Sequence, residues 1–332
     1  MNNSAISVVN QIIENQKKIG RKIITPKPGD KIGFAFSTKD RTSFTKSTLD
    51  SIDQEKGFDI VWVDGSVTEG GKNLPKNYEF KNVHLAEYHS NVSGGPDVAI
   101  QYGLKRLLDL GYDYCGLIEN DIIFQPDWFK NLVELFSLSA SDGIVAGAVT
   151  IRNFETRVIE YKKDYTINWN IGAGMILFTR EAAQLVVDNY KNLATTGLGM
   201  RHSYGKLLGI DLKNNKELFK GRVDYFLSLD YSFDRILCKN GFSSIGSIPS
   251  LVSDLEFDMA DYGLKYVEKN KSNIGLIYPK VPKASLLWLS MAEPILFFLC
   301  SVWKKVKKVK WIYIMVKSIE RKIFKKPQRK FS

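Results

Sequence analysis

Two short apolar segments with a helical segment between them constrain the fold most strongly. Residues 31–36 and 59–63 have the length and composition of buried strands, and Phe44, Leu49 and Ile52 recur at helical spacing between them. A strand, a helix and a strand within about 35 residues form a βαβ unit, which pairs its two strands in parallel. The sequence therefore predicts an α/β fold with parallel strands.

A third apolar run, residues 114–118, is followed by two acids, Glu119 and Asp121. In an extended chain, residues two apart point to the same side, so the two carboxylates are expected to converge on one cation. Open α/β sheets bind ligands at the carboxyl ends of their strands, and Mg²⁺ or Mn²⁺ takes carboxylate oxygens while bridging to substrate phosphates. The pattern favours the metal end of a phosphate site; a solvated turn with ordinary acids is the alternative.

Two glycines, Gly94 and Gly95, stand before Pro96 and a helical pattern that continues through Leu108. Proline suits the first helical turn, and glycines let backbone N–H groups approach an anion at a helix start. The pair is predicted either to contact a phosphate or to form a plain connecting turn.

Further strands are predicted over residues 143–149, 171–178 and 244–252, with a helix over 180–190. Residues 194–222 are rich in Gly, Thr and Lys and have weak periodicity. A loop of this length inside a compact domain is usually a lid or a binding loop, and that is the expectation here.

The net charge of +11 comes from one end of the chain. Residues 304–330 carry twelve Lys and Arg against one Glu, so the remainder is neutral. Valines and isoleucines keep helical spacing between these lysines, as expected of a helix that lies in an anionic membrane interface. A nucleic acid would have no use for the apolar stripe and is not expected as a partner.

The chain is predicted to be cytoplasmic and peripheral on the inner face of the cell membrane. Residues 284–303 are about long enough to span a bilayer, but Glu293 and Pro294 interrupt them, which makes spanning marginal. Three widely spaced cysteines and a polar N-terminal stretch suggest a reducing compartment.

The predicted domains are 1–30, an N-terminal helix and linker; 31–282, the α/β domain; and 283–332, the basic amphipathic tail.

Four segments in order resemble motifs of the family-2 glycosyltransferases. The resemblance implies their GT-A fold, which has a Rossmann-like, mostly parallel central sheet flanked by helices. They are Phe36-Ser-Thr-Lys-Asp-Arg41 followed by Thr48-Leu-Asp-Ser-Ile52, then Asp64-Gly-Ser66, then Leu117-Ile-Glu-Asn-Asp-Ile122, and finally the segment from Asp230 to Phe242. The resemblance covers roughly residues 31–257, and four motifs in the right order are more specific than any one of them.

The resemblance implies an inverting transfer from a nucleotide sugar, most often a UDP-sugar, to a glycan or lipid-linked acceptor in cell-surface polysaccharide or glycoconjugate synthesis. Asp230 would be the general base. Glu119 and Asp121 would hold ribose and the diphosphate-bound metal. Asp254, the nearest substitute for a histidine expected after the last strand, would be a third metal ligand. The residues implied at the donor are Thr38, Asp40, Arg41, Asp64, Gly94, Gly95 and Asn120.

This sequence departs from the family pattern at several acids. Glu119 stands in place of the usual first Asp, Leu229 in place of a Glu, and Ser232 in place of a second helix acid. Two other functions are therefore considered. A nucleotidyltransferase would usually have a glycine-rich loop after the first strand, whereas residues 37–43 contain no glycine. A catalytically degenerate membrane adaptor with this fold would bind a partner only.

Overall fold

The computed structural model describes residues 8–92, 96–153, 158–168, 171, 174–189 and 230–255. All of them belong to one compact unit. The predicted loop 194–222, the tail 283–332, the glycines Gly94 and Gly95 and the side chain of Asp230 lie outside this description. Within the described ranges, no helix is long and apolar enough to cross a membrane.

The described residues form seven helices and eleven strands. The helices are α1 (Val8–Ile19), α2 (Thr42–Ile52), α3 (Glu69–Asn77), α4 (Pro96–Asp109), α5 (Trp128–Ser141), α6 (Arg180–Asp188) and α7 (Asp230–Lys239). The strands are β1 (Ile32–Thr38), β2 (Asp59–Asp64), β3 (His84–His89), β4 (Tyr114–Glu119), β5 (Ile122–Phe124), β6 (Ala146–Thr150), β7 (Val158–Tyr161), β8 (Tyr165–Asn168), β9 (Met175–Thr179), β10 (Ser243–Ser247) and β11 (Val252–Asp254).

Nine strands form one mixed sheet in the order β3-β2-β1-β4-β9-β6-β10-β8-β7. Strands β1 to β4 are mutually parallel, and β9 runs antiparallel to both β4 and β6. Strand β10 is parallel to β6 and antiparallel to β8, which in turn is antiparallel to β7. All strands except β8 and β9 therefore point the same way, as the largely parallel sheet in the sequence prediction requires. Strands β5 and β11 form a separate antiparallel pair.

Hydrophobic side chains fill a layer on each face of the sheet. Along β1, Phe34 and Phe36 belong to one buried cluster and Ala35 to the other, because successive strand residues point to opposite faces. A strand covered on both faces reads as a continuous apolar run. Helix α4 lies so close to this strand that a Cβ at Gly103 would collide with the side chain of Ala35.

Helix α1 is part of this unit, fixed by one buried glutamine. Gln16 donates from Nε2 to the carbonyl of Val145 and to Oγ of Ser243, each at 3.0 Å, and its Oε1 accepts from the Val145 N–H at 3.0 Å. The amide side chain thus pairs with the backbone just before β6 as a neighbouring strand would, and it also reaches the first residue of β10. Ile12 is buried on the same helix.

Several elements differ from the sequence prediction. Helix α3 was not expected, because Gly70, Gly71 and Pro75 normally mark breaks; the Thr68 side chain caps it by accepting from the Gly71 N–H at 3.3 Å. The single strand expected over 244–252 is two strands, and the second pairs with β5 rather than with the large sheet. The edge strand β3 is exposed or half-buried throughout, which left too weak an apolar signal to predict it.

We expect Gln16→Ala to lower the free energy of unfolding by about 2–4 kcal/mol, because it leaves buried backbone groups of Val145 without partners and each such group costs about 1–3 kcal/mol. Urea unfolding of the full chain measures this. Lys17→Ala, at the exposed neighbouring position, is the matched control. An equal effect of both substitutions would show that the hydrogen bonds of the buried amide are not responsible.

Candidate functional site

The common direction of most strands places several carboxyl ends at one edge of the sheet. Strands β1, β2, β4 and β6 end there at Thr38, Asp64, Glu119 and Thr150. The chain passes from β1 to β2 on one side of β1, while β4 lies on its other side. Such a switch point opens a crevice outside the strand ends, where ligands of doubly wound sheets bind.

Asp64 is buried at this edge, and both of its carboxylate oxygens accept hydrogen bonds from other groups of the protein. Its Oδ1 accepts from Thr38 Oγ1 at 2.9 Å, from the Ser66 N–H at 3.0 Å and from Ser66 Oγ at 2.6 Å. Its Oδ2 accepts from the Tyr88 hydroxyl at 3.3 Å, and burial together with this carboxylate raises the pKa of Tyr88. Trp62 Nε1 donates to Thr38 Oγ1 at 2.9 Å.

Thr38 and Asp64, implied as nucleoside contacts, are only 6% and 1% exposed. Their hydrogen bonds join the ends of β1, β2 and β3. In this structure their role is to hold the strand ends of the crevice in place.

Asp40 organises the loop after β1. Both Asp40 and Arg41 have a left-handed backbone, with φ of 56° and 52°, which is uncommon away from glycine. Asp40 Oδ1 accepts from the N–H groups of Val67 and Thr68 at 3.0 and 2.8 Å and from Thr68 Oγ1 at 2.7 Å. Partial burial alone would raise the pKa of this carboxyl, but the hydrogen bonds from Thr68 and Val67 together hold it below its usual value.

The two acids at the end of β4 do not share one extended segment, because Glu119 is the last residue of the strand and Asp121 lies beyond it. Asn120 and Asp121 form a turn between β4 and β5, so the argument that residues two apart share a side does not apply. Asp121 instead accepts from Nη1 of Arg41 at 3.2 Å, which joins the loop after β1 to the turn after β4. Asn120 donates from Nδ2 to Thr45 Oγ1 at 2.8 Å and ties the same turn to α2.

Arg152 lies between the other two predicted acids. It follows β6 by two residues, and its Nη2 is 2.7 Å from Asp254 Oδ2 while its Nη1 is 3.9 Å from Glu119 Oε2. The guanidinium lies over Gly174, where a Cβ would collide with it. The Arg152 and Asp254 side chains are 17% and 5% exposed, so this is a largely desolvated ion pair that links the ends of β6 and β11.

Helix α7 begins at Asp230, the residue implied as the general base. One turn later, Asp234 is fully buried. Its Oδ1 accepts from Ser244 Oγ, and its Oδ2 accepts from the Ile171 N–H at 3.3 Å. Asp234 therefore fixes the start of α7 against β10 and against the segment that leads to Gly174.

The fit of a divalent cation can be tested against these carboxylates. Glu119 and Asp121 are partly exposed acids, and a cation such as Mg²⁺ usually takes one or two carboxylates plus substrate phosphates. Asp254, the third predicted metal ligand, is buried in this structure and pairs with Arg152 at 2.7 Å. Among the described residues, no group of three or more His, Cys, Asp or Glu side chains could hold a metal ion.

Neither Arg152 nor Asp234 was singled out from the sequence. Arg152 links the ends of β6 and β11, and Asp234 fixes the start of α7. Arg152 could have been found by asking which charged residues follow each predicted parallel strand, since it lies three residues after the strand predicted at 143–149. Asp234 carries no such signal, because an acid one turn into a helix reads as a solvated residue until the packing around it is known.

No protein-family profile and no curated protein sequence matches this chain. Among solved structures, the apo form of the bifunctional glycosyltransferase WbbM is similar over 68% of this chain and 46% of its own, with 13% identity and a TM-score of 0.31. TarS of S. aureus is similar over 58% of this chain and 43% of its own, with 12% identity and a TM-score of 0.38. A197 from STIV is similar over 46% of this chain and 67% of its own, with 12% identity and a TM-score of 0.28.

The chain thus spans less than half the length of the first two structures. Because all three TM-scores are below 0.5, these likenesses carry no argument about activity. The fold and the edge geometry by themselves define a Rossmann-like α/β protein with acidic and arginine side chains grouped at its switch point.

A double-mutant cycle tests the coupling of Arg152 to Asp254. Arg152→Met alone is expected to cost about 3–5 kcal/mol of unfolding free energy, because it leaves a buried carboxylate without its counter-charge. Adding Asp254→Asn should restore a large part of that loss, and urea unfolding of the three variants measures it. Strictly additive costs would mean that the two side chains do not depend on each other.

Proposed function

We propose that this chain is an inverting glycosyltransferase of the GT-A type, which moves a sugar from a nucleotide-sugar donor to a hydroxyl group. The observation that carries the proposal is the meeting of Arg41 and Asp121 at 3.2 Å, across the switch point and beside Glu119. Those residues belong to two of the four segments that resemble the family, and the fold brings them to one crevice although 80 positions separate them.

The donor would lie over the ends of β1 and β4. Arg41 is 44% exposed, and its planar guanidinium suits two oxygens of a phosphate group. The loops that support the crevice are fixed in advance by the bonds of Asp40 and Asp64, so donor binding would not have to order them. UDP-sugars are the first donors to test.

Charge balance supports a cation beside the donor. The three acids Glu119, Asp121 and Asp254 face the two arginines Arg41 and Arg152, so negative charge is in excess before an anionic diphosphate arrives. A divalent cation held by Glu119 and Asp121 would supply the Lewis acid that offsets the charge of the leaving nucleoside diphosphate.

In the acceptor step, Asp230 would accept the proton of the attacking hydroxyl group. The acceptor oxygen attacks the anomeric carbon as the bond from that carbon to the diphosphate oxygen breaks, and the Asp230 carboxylate takes the hydroxyl proton. One displacement inverts the anomeric configuration. Asp234, buried one turn along α7, would position this base without contacting the substrate.

The acceptor is proposed to be a glycan or lipid-linked glycan of the cell surface, reached from the inner face of the membrane with the tail 283–332 as an anchor.

A panel of UDP-, GDP- and CMP-sugars in thermal-shift measurements identifies the donor, since a ligand at a hundred times its Kd adds about 2.7 kcal/mol of stability. Stabilisation by a nucleotide sugar with sugar transfer supports the proposal. Pyrophosphate release from a nucleoside triphosphate would identify a nucleotidyltransferase, and binding without turnover would identify an adaptor.

We expect Asp121→Asn to lower transfer by at least about a hundredfold, because metal-assisted charge stabilisation is worth several kcal/mol. The fold should persist, since the residue is partly exposed. Transfer rates with Mn²⁺ or Mg²⁺ measure the effect, and Asp109→Asn, on the exposed end of α4, is the control. Undiminished wild-type transfer in excess chelator would exclude the cation.

Asp230→Asn is expected to lower kcat by about 10²–10⁴, the usual contribution of a general base, with donor affinity nearly unchanged. Single-turnover rates and donor titrations measure the two quantities separately, and Asp188→Asn at the end of α6 is the control. Parallel loss of donor affinity and rate would assign Asp230 to the donor site instead.

A further inference from the structure

An exposed strip at the end of α1 combines cations with apolar side chains. Residues 17–27, which we name the basic strip, read Lys-Lys-Ile-Gly-Arg-Lys-Ile-Ile-Thr-Pro-Lys and contain no acid. Ile19, Ile23 and Ile24 are 43%, 47% and 42% exposed. Only seven large hydrophobic side chains are exposed in the described part of the chain, so three within six positions form a cluster.

The strip starts from an anchored point on the domain. Gln16 anchors α1 on its buried side, and Gly20 turns the chain out of the helix with φ of 80°. Arg21 then donates to the Asn240 carbonyl, pairs with Glu181 and lies 4.4 Å from the ring centre of Phe242. The Ile19 side chain lies beside Gly241, and Ile23 and Ile24 follow the anchored Arg21 in the exposed part of the strip.

The cations of the strip are four lysines. Arg21 is engaged by Glu181, whereas Lys17, Lys18, Lys22 and Lys27 are exposed. None of these four makes an ion pair with another described residue. Exposed isoleucines among lysines give the strip an apolar and a cationic component on one surface.

We propose that the basic strip docks on an anionic lipid bilayer. Interfacial binding grows with the apolar area inserted and with attraction between basic side chains and anionic headgroups, and each basic residue near such a surface adds about 1 kcal/mol. A nucleic acid would attract the same lysines but would leave the three isoleucines in water, so lipid matches the whole strip. The proposal does not depend on the enzymatic activity.

The strip also has a defined position relative to the crevice. Gln16 and Arg21 attach α1 beside Val145 and Phe242, which directly precede β6 and β10. The strip therefore lies towards the amino ends of these strands, and the crevice lies at the carboxyl ends.

An environment-sensitive fluorophore on the strip tests the proposal directly. Ile23→Cys is labelled with a nitrobenzoxadiazole dye in the full chain carrying Cys300→Ser; Cys115 and Cys238 are buried, and burial raises the pKa of both thiols, which protects them from labelling. Vesicles with phosphatidylglycerol should shift the emission to shorter wavelength, and pure phosphatidylcholine vesicles should not. Tyr161→Cys, at a comparably exposed position, is expected to remain water-like.

The affinity of the unlabelled chain for the same vesicles gives a second measurement. Ile23→Ser with Ile24→Ser should lower the partition coefficient roughly tenfold, from the apolar area withheld from the interface, while Leu110→Ser with Tyr161→Ser should not. A dye at position 23 that stays water-like while the protein sediments with vesicles would overturn the proposal, because another segment would then be the anchor. Failure to bind anionic vesicles would overturn it too, as would a dye response to a short DNA duplex equal to that with lipid.

Discussion

The shared direction of the strands is the constraint on which the rest of the molecule depends. Because only β8 and β9 run against the others, every remaining strand of the large sheet delivers its last residue to the same edge. Polar side chains that are far apart in sequence then meet without any long loop having to carry them there. A sheet with its strands alternating in direction would divide the same residues between two edges.

Several acids at one edge of the sheet repel one another. Hydrogen-bond donors offset this repulsion at one buried acid, and an arginine offsets it at another. Asp64 is satisfied by hydroxyl and amide donors, and Asp254 by the guanidinium of Arg152. Those two acids are buried and stabilise the strand ends. Asp121 and Glu119 are more exposed and remain accessible to a ligand, so burial separates the acids that support the crevice from those that can act in it.

The sequence predicted the parts of this arrangement that depend on local pattern. The strands around Phe34, Val61 and Leu117 were visible because burial on both faces leaves continuous apolar runs. Contacts between distant segments were not visible: the pairing of Arg152 with Asp254 spans 102 positions, and no local rule indicates it. Helix α3 was missed because it contains two glycines and a proline, which usually end a helix.

The hydrogen bonds of the Gln16 amide affect the order in which the elements of the domain pack together during synthesis. Its partners lie 129 and 227 positions further along the chain, and a contact over such a distance forms late because the intervening loop must close first. Helix α1 is synthesised before β6 and β10 and has no finished surface to occupy until β10 follows. Its apolar face is therefore exposed until then, a state in which chaperones or premature association act on a nascent chain. The first helix of the described fold is thus among the last to reach its final position.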